Sequence, residues 1–426
     1  MKRLSACIVL FCLLCSCARI PAKLPEQTSN STTETSAVYT PKPDEIRAVW
    51  ISCYELPDAA AQGEEKFRER AEEMFNNVAD MKLNTVFVHV RAFADAVYPS
   101  KLFPWSKYSC KGSDPGFDPL KVMVECAHKS GLKIHAWINP FRVSSSDNID
   151  SLPQGSPAKK LIGTDSVIQL KNGIYFDPAS TDVHALIYDG VREILDGYEV
   201  DGIHIDDYFY PTRDESIDRA EYEAYVSGGG DKGLNEWRRD SVSAFAAGLY
   251  SLVKSYGSDK IFSISPAGNI DGNENALFAD VELWLSTPGY ADYIIPQVYF
   301  GFENQSLPFE KTAKRWASVS DGRVGIIWGL AAYKCGTQDK NARSGSSEWA
   351  ENSDIIVRQL SFVRPLNAYC GFALFFIFIY VRKNQRKRKK KKCKISKICY
   401  NVYCLIINWG YHILFGENFS DGGQMK

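Results

Sequence analysis

Two adjacent aspartates, Asp206 and Asp207, close the short β-rich run Gly202-Ile-His-Ile and are followed at once by Tyr208-Phe209-Tyr210-Pro211. Burial among aromatic rings raises a carboxyl's pKa and keeps it protonated for work as an acid. Hydrolysis of a glycosidic bond usually needs two such groups, ~5–5.5 Å apart for retention of configuration and ~6.5–9.5 Å for inversion. Asp206, at a strand tip and inward by alternation, is the first candidate for nucleophile or base. Asp207 is turned away by the pleat unless the strand has already broken; it is a candidate acid, or a residue that orients Arg91 or a loop. Glu303 and Asp95 are rival candidates for the acid.

The elements that must position these groups alternate strand and helix. Strands are expected at 48–52, 85–91, 133–139, 202–206, 261–266, 293–299, 324–330 and 369–375. Helical patterns lie between them at 66–82, 120–129, 183–195, 235–255, 309–319 and 347–363, and Gly131 and Gly257 stand where helix C-caps belong. Eight such units in one domain predict an α/β fold, a (β/α)8 TIM barrel. An open doubly wound sheet would want a Gly-rich phosphate turn after its first strand, and Cys53-Tyr54-Glu55-Leu56-Pro57 has none.

In such a barrel the chemistry sits at the C-terminal strand ends. Alternation puts Arg91, Asn139 and Asp206 in one inward layer and His89, Trp137 and His204 in the layer below. Arg91, Asn139 and Arg142 are candidates to bind sugar hydroxyls or a sugar carboxylate, or to position Asp206. Trp137, Tyr208, Tyr210, Tyr299 and Trp328 are candidates to stack on sugar faces, and Asp95, His204 and Gln297 complete the expected binding set. Three histidines on consecutive strands suggest a metal, but His135 falls on a different level from His204 and no acid-rich cage accompanies them. No metal and no cofactor is expected. The seventh strand ends Trp328-Gly-Leu-Ala-Ala-Tyr333 without a carboxylate, so a paired glutamate pattern after strands four and seven is absent.

Several strings together resemble one family. Arg47-Ala-Val-Trp-Ile, Asn84-Thr-Val-Phe-Val-His-Val-Arg, Ile134-His-Ala-Trp-Ile-Asn-Pro-Phe-Arg and Asp201-Gly-Ile-His-Ile-Asp-Asp-Tyr-Phe-Tyr-Pro are similar to the family 10 glycosyl-hydrolase-like lipoproteins. Ser263-Ile-Ser-Pro, Ile295-Pro-Gln-Val-Tyr and Gly371-Phe-Ala-Leu-Phe extend the likeness over roughly 45–375. The resemblance implies a TIM barrel, export on a lipid anchor, and hydrolysis of a glycan, with cell-wall (peptidoglycan-type) or dietary polysaccharide among the substrates. A barrel that binds glycans without cleaving them remains the alternative.

The ends read differently from the body. Met1-Lys2-Arg3, an apolar run to Leu14 and Leu14-Cys15-Ser16-Cys17 form a secretory signal over 1–17 that resembles a lipobox, with Cys17 as the lipidated residue and a membrane as partner. Residues 18–45 read as a flexible tether and 46–375 as the barrel. From Phe376 onward there are 12 basic and 2 acidic residues, which leaves 38 basic against 49 acidic before it. The formal charge of −1 thus joins a body at −11 to a tail at +10. An acidic body disfavours nucleic acid as a partner. The apolar run leading into the tail is shorter than the ~18 residues of a spanning helix. Its composition fits a frameshift: Phe375 to Tyr380 can be written TTT TTC ATA TTC ATA TAT, and losing one T from the opening run of five gives Phe-Ser-Tyr-Ser-Tyr. On that reading 376–426 is not native, and the barrel lacks its last helix.

Overall fold

The computed structural model describes residues 44–56 and 58–375. The expected signal with Cys17, most of the tether and the basic tail with its frameshift lie outside the described residues.

Runs such as Thr85–Arg91 (TVFVHVR) are β-branched or aromatic on both faces, as strands between a filled interior and a helical ring must be. Eight form the barrel: β1 (Ile46–Ile51), β2 (Thr85–Arg91), β3 (Lys133–Ile138), β4 (Gly202–Ile205), β5 (Ile261–Ile264), β6 (Tyr293–Ile294), β7 (Gly325–Leu330) and β8 (Tyr369–Phe375). Every neighbouring pair is parallel, and β1 pairs with both β2 and β8, so the sheet closes. The expected TIM barrel is therefore present. Its interior holds Ala48, Trp50, Phe87, Trp137, Ile295, Ile327 and Ala373, while a larger apolar layer packs between sheet and helices. Trp50 needs room there. A Cβ on Gly329 would lie 3.1 Å from the Trp50 indole and 2.7 Å from a backbone oxygen, so only glycine fits.

Helix starts follow their caps. Asp118 accepts from the Lys121 N–H ahead of Pro119–Lys129, and Ser180 accepts from Val183 N–H ahead of Thr181–Gly197. Gly131 takes φ +72°, as its expected capping place requires. The sixth strand is shorter than expected, because Pro296 has no N–H to continue the ladder. The single helix expected over 347–363 is two, Glu348–Glu351 and Ile355–Val363. Between β3 and β4 lies an unforeseen antiparallel sheet of Arg142–Ser144, Val167–Leu170 and Gly173–Phe176. Among the described residues no helix is long and apolar enough to cross a membrane. Cys53, Cys110 and Cys335 are buried thiols whose pKa burial pushes up to about 12, so they pack as small inert apolar groups.

Asp177, just after that sheet, is fully buried; its Oδ1 accepts from Ala179 N–H and its Oδ2 has no protein partner. Burial pushes its pKa up to about 8, with Glu221 and Asp218 adding to the rise and Arg238 opposing it. The folded chain thus holds a proton that the unfolded chain releases above the ordinary value of 3.8. Stability from this group is full below that value and is lost as pH rises through about 8. The Asp177→Asn variant should flatten the loss: urea midpoints at about pH 5 and about pH 8 will differ less than in the wild type. Equal slopes would show that other groups set the dependence.

Candidate active site

At the C-terminal mouth the strand ends enclose a cleft of 270 Å³. β4 stops at Ile205, so the pleat no longer separates its two aspartates and both line the cleft. Asp206 is 4% exposed, and its Oδ2 accepts from Trp137 Nε1–H at 3.1 Å. Asp207 is half-buried, and its Oδ1 accepts from Gln297 Nε2–H at 3.0 Å. Burial pushes the Asp206 carboxyl well above the usual carboxylate range, and the neighbouring Asp207 charge pushes it further. Burial also raises Asp207, against the pull of the Gln297 hydrogen bond. Two carboxyls this close do not both ionise readily, and Asp206 is the one that keeps the proton.

Buried polar atoms normally find a partner. Here Asp206 Oδ1, Ser265 Oγ, Arg142 Nε and both ring nitrogens of His89 have none within the protein, and all four residues line the same cleft. Such clustering marks where a polar ligand makes its bonds.

The floor is aromatic and neutral. His89 lies parallel to Trp137 at 3.6 Å between ring centroids. Trp50 Nε1–H donates to His204 Nε2 at 2.9 Å; that nitrogen must be bare, so Nδ1 carries the hydrogen donated to Ser263 Oγ at 2.9 Å. Burial lowers His89 to about 3 and His135 to about 4, and puts His204 well below its ordinary value. All three are uncharged at neutral pH, and His135 pairs with Gly202, below the level of His204. Among the described residues no three His, Cys, Asp or Glu side chains are grouped to hold a metal ion.

On the β3 side, Asn139 lines the cleft and its Oδ1 accepts from Arg142 N–H. The Arg142 guanidinium sits 4.8 Å over both the Phe93 and Tyr208 rings and donates to the Tyr208 hydroxyl at 3.0 Å. On the β6 side stand Gln297 and Tyr299, with Tyr299 stacked on Phe375. The cleft thus gathers Asp206, Asp207, Trp137, Asn139, Arg142, Tyr208, Gln297 and Tyr299.

Six expected site residues lie elsewhere. Between His89 and Arg91, β2 slips by one residue, so Arg91 pairs with Ile138 instead of Asn139 and faces the helices. There it stacks on Phe103, and a Cβ on Gly190 of the helix Thr181–Gly197 would lie 3.6 Å from its Nη1. Asp95 is buried and accepts from Phe93 N–H and Lys107 N–H, which makes it a loop anchor. His204 lies one layer beneath the cleft, supporting Trp50. Tyr210 is buried and donates its hydroxyl to Asp218. Trp328 alternates with inward Ile327 and packs outward. Glu303 is exposed nine residues past the end of β6, its N–H donating to Glu348 Oε2, and it does not line the cleft.

Trp50, Ser52, Cys53, Tyr54, Phe93 and Phe375 also line the cleft and were absent from the expected set. The signal was their place: Ser52, Cys53 and Tyr54 directly follow β1 and Phe375 ends β8.

A closed parallel barrel with a carboxylate pair at its mouth, between aromatic walls, is the architecture of TIM-barrel glycosidases. The chain belongs to the glycosyl hydrolase-like 10 family, whose family model matches residues 45–347. It is 32% identical to glycosyl hydrolase YngK of Bacillus subtilis over 77% of this chain and 67% of that protein. Glycosyl hydrolase DigH of Escherichia coli K12 is 29% identical over 80% of this chain and 84% of its own. In fold it is similar to alpha-L-fucosidase isoenzyme 2 from Paenibacillus thiaminolyticus, with a TM-score of 0.53 at 13% identity, over 87% of this chain and 50% of that one. Membership supports a glycoside-hydrolase-type function.

Proposed function

We propose that the protein hydrolyses glycosidic bonds in a polysaccharide, cell-wall or dietary, with Asp206 as general acid and Asp207 as base or nucleophile. The carrying observation is the pair itself: two carboxyls of unequal burial open into one cleft, and Asp206 Oδ1 has no protein partner. The Asp206 proton passes to the glycosidic oxygen as the C–O bond breaks, while the Asp207 carboxylate attacks the anomeric carbon or takes a proton from the attacking water. Role order is thereby exchanged relative to the sequence-based expectation. Wild-type protein should release reducing ends from at least one of peptidoglycan glycan strands, xylan, arabinan or starch. Binding of these polymers without any release would replace catalysis with glycan binding alone.

We also propose that the enzyme works at the cell envelope, exported and anchored by lipid on Cys17, because Leu14-Cys15-Ser16-Cys17 reads as a lipobox. Changing Cys17 to Ser should move the protein from the membrane fraction to the soluble one; retention in the membrane would refute the anchor.

This mechanism needs Asp206 protonated and Asp207 ionised. Turnover should fall at high pH as Asp206 loses its proton and at low pH as Asp207 gains one. The Trp137 N–H favours the charged form of Asp206. In Trp137→Phe the alkaline limb of kcat against pH should therefore move upward, and a downward move would contradict the assignment.

A further inference from the structure

Each aspartate of the pair accepts a side-chain hydrogen bond from a different strand end: Asp206 from Trp137 of β3, Asp207 from Gln297 just past β6. The sequence pattern marks Gln297 as a sugar contact, yet its amide nitrogen is already spent. Nε2 donates to Asp207 Oδ1 at 3.0 Å and to the Ser265 carbonyl at 3.2 Å. Turned over, the amide would set its oxygen against two acceptors with no hydrogen between them, so the donor must face Asp207.

The backbone beneath this amide is clamped. Pro296 ends the regular ladder, but Gln297 N–H still donates to the Pro266 carbonyl at 3.0 Å, and bridges join residue 297 to Ala267 and Gly329. A Cβ on Gly268 would collide with the Gln297 carbonyl, and one on Gly329 would lie 3.3 Å from its Cα. Glycine on both flanks lets the chain close around this residue. The amide therefore reaches Asp207 from a fixed base.

The groups that face Asp207 are Asp206 beside it, Tyr208 next in the chain, and Tyr299 from the β6 side. Burial raises both phenols above their ordinary value, so they stay uncharged through the acid range. Among the described residues no cation pairs with Asp207. Burial opposes its charge, and the Gln297 bond, followed by a backbone N–H, favours it. The Trp137 N–H pulls charge the other way, toward Asp206, so the two donors compete over which carboxyl keeps the proton.

Building on the hydrolase reading, we infer that Gln297 is a positioning residue rather than a sugar contact: its amide makes Asp207 the charged member of the pair.

The test is the pH profile of Gln297→Met, which keeps the length of the side chain without its donor. On whichever of the four polymers the wild type cleaves, the acid limb of kcat should move up by about one to two pH units. Below the limb that is a loss of about 10- to 100-fold, with KM nearly unchanged. Gln297→Glu adds a third carboxyl to the pair and should also move the limb up. A raised KM with the limb unmoved in both variants would overturn the inference and make Gln297 a sugar contact. If the wild type releases no reducing ends, hydrolysis fails on its own, and carboxyl carbon-13 NMR of aspartate-labelled protein decides the role of the amide. The Asp207 signal is assigned by its loss in Asp207→Asn, and its titration midpoint should rise in Gln297→Met. An unchanged or lower midpoint would overturn the inference.

Discussion

Changing Asp206 to Asn is expected to lower polysaccharide turnover by about 10²–10⁴-fold while leaving binding nearly intact. General acid catalysis contributes on that scale, and the amide keeps the shape of the carboxyl but has no acidic proton to give. Asp206 is buried, its pKa is raised by burial and then by Asp207, and its free Oδ1 lines the cleft. The amide oxygen can still accept from Trp137 Nε1–H, so the floor should stay in place. Calorimetric binding of the polymer to the variant checks this. Loss of binding together with turnover would mean that Asp206 holds the substrate or the loop rather than moving a proton.

The largest effect on stability should come from Arg238→Ala. Arg238 is fully buried on the helix Leu234–Ser255, and its Nε and Nη2 donate to the two Asp218 oxygens at 2.7 and 2.6 Å. Nη2 also donates to the Asp214 carbonyl, and Tyr210 donates to Asp218 Oδ2. These bonds tie the loop that begins at Asp206 to the helix behind it. Removing one partner of a buried pair leaves an uncompensated charge and costs about 3–5 kcal/mol. Against a typical total of about 5–15 kcal/mol, that is a large share. Urea denaturation should show a lower midpoint with an unchanged slope. The Arg238→Met, Asp218→Leu double variant should recover much of the loss, since replacing both charges removes the orphan. A single variant as stable as wild type would show that the pair does not hold this loop.

Much of this was legible in the chain. Eight β-rich runs separated by amphipathic stretches predicted the barrel, and the polar, aromatic strand ends predicted which face carries chemistry. Asp206 and Asp207 were visible because they end a short apolar strand. Strict alternation failed where the backbone broke it. The slip at Val90 sends Arg91 to the helices, and no local residue signals it because its partner strand sets the register. Tyr210 and Trp328 looked like sugar platforms because aromatic type does not distinguish an inward ring from one packed against helices. Glu303 stands near β6 in sequence, but Pro296 ends the ladder early and the chain has left the cleft by then. The accessory sheet was missed because its strands are three or four residues long, too short for a period to emerge. Tyr54 lines the cleft as the third residue past β1, a place the strand pattern marks but the residue type does not.

In the mechanism we propose, Asp206 gives its proton to the leaving oxygen while Asp207 works at the anomeric carbon or on the attacking water. The most direct measurement compares Asp206→Asn and Asp207→Asn on a polysaccharide and on a dinitrophenyl glycoside, whose leaving group needs no proton. Asp206→Asn should retain far more of the wild-type rate on the activated glycoside than on the polysaccharide, while Asp207→Asn should lose both. Equal losses by Asp206→Asn on the two substrates, or the reverse pattern between the two variants, would contradict it.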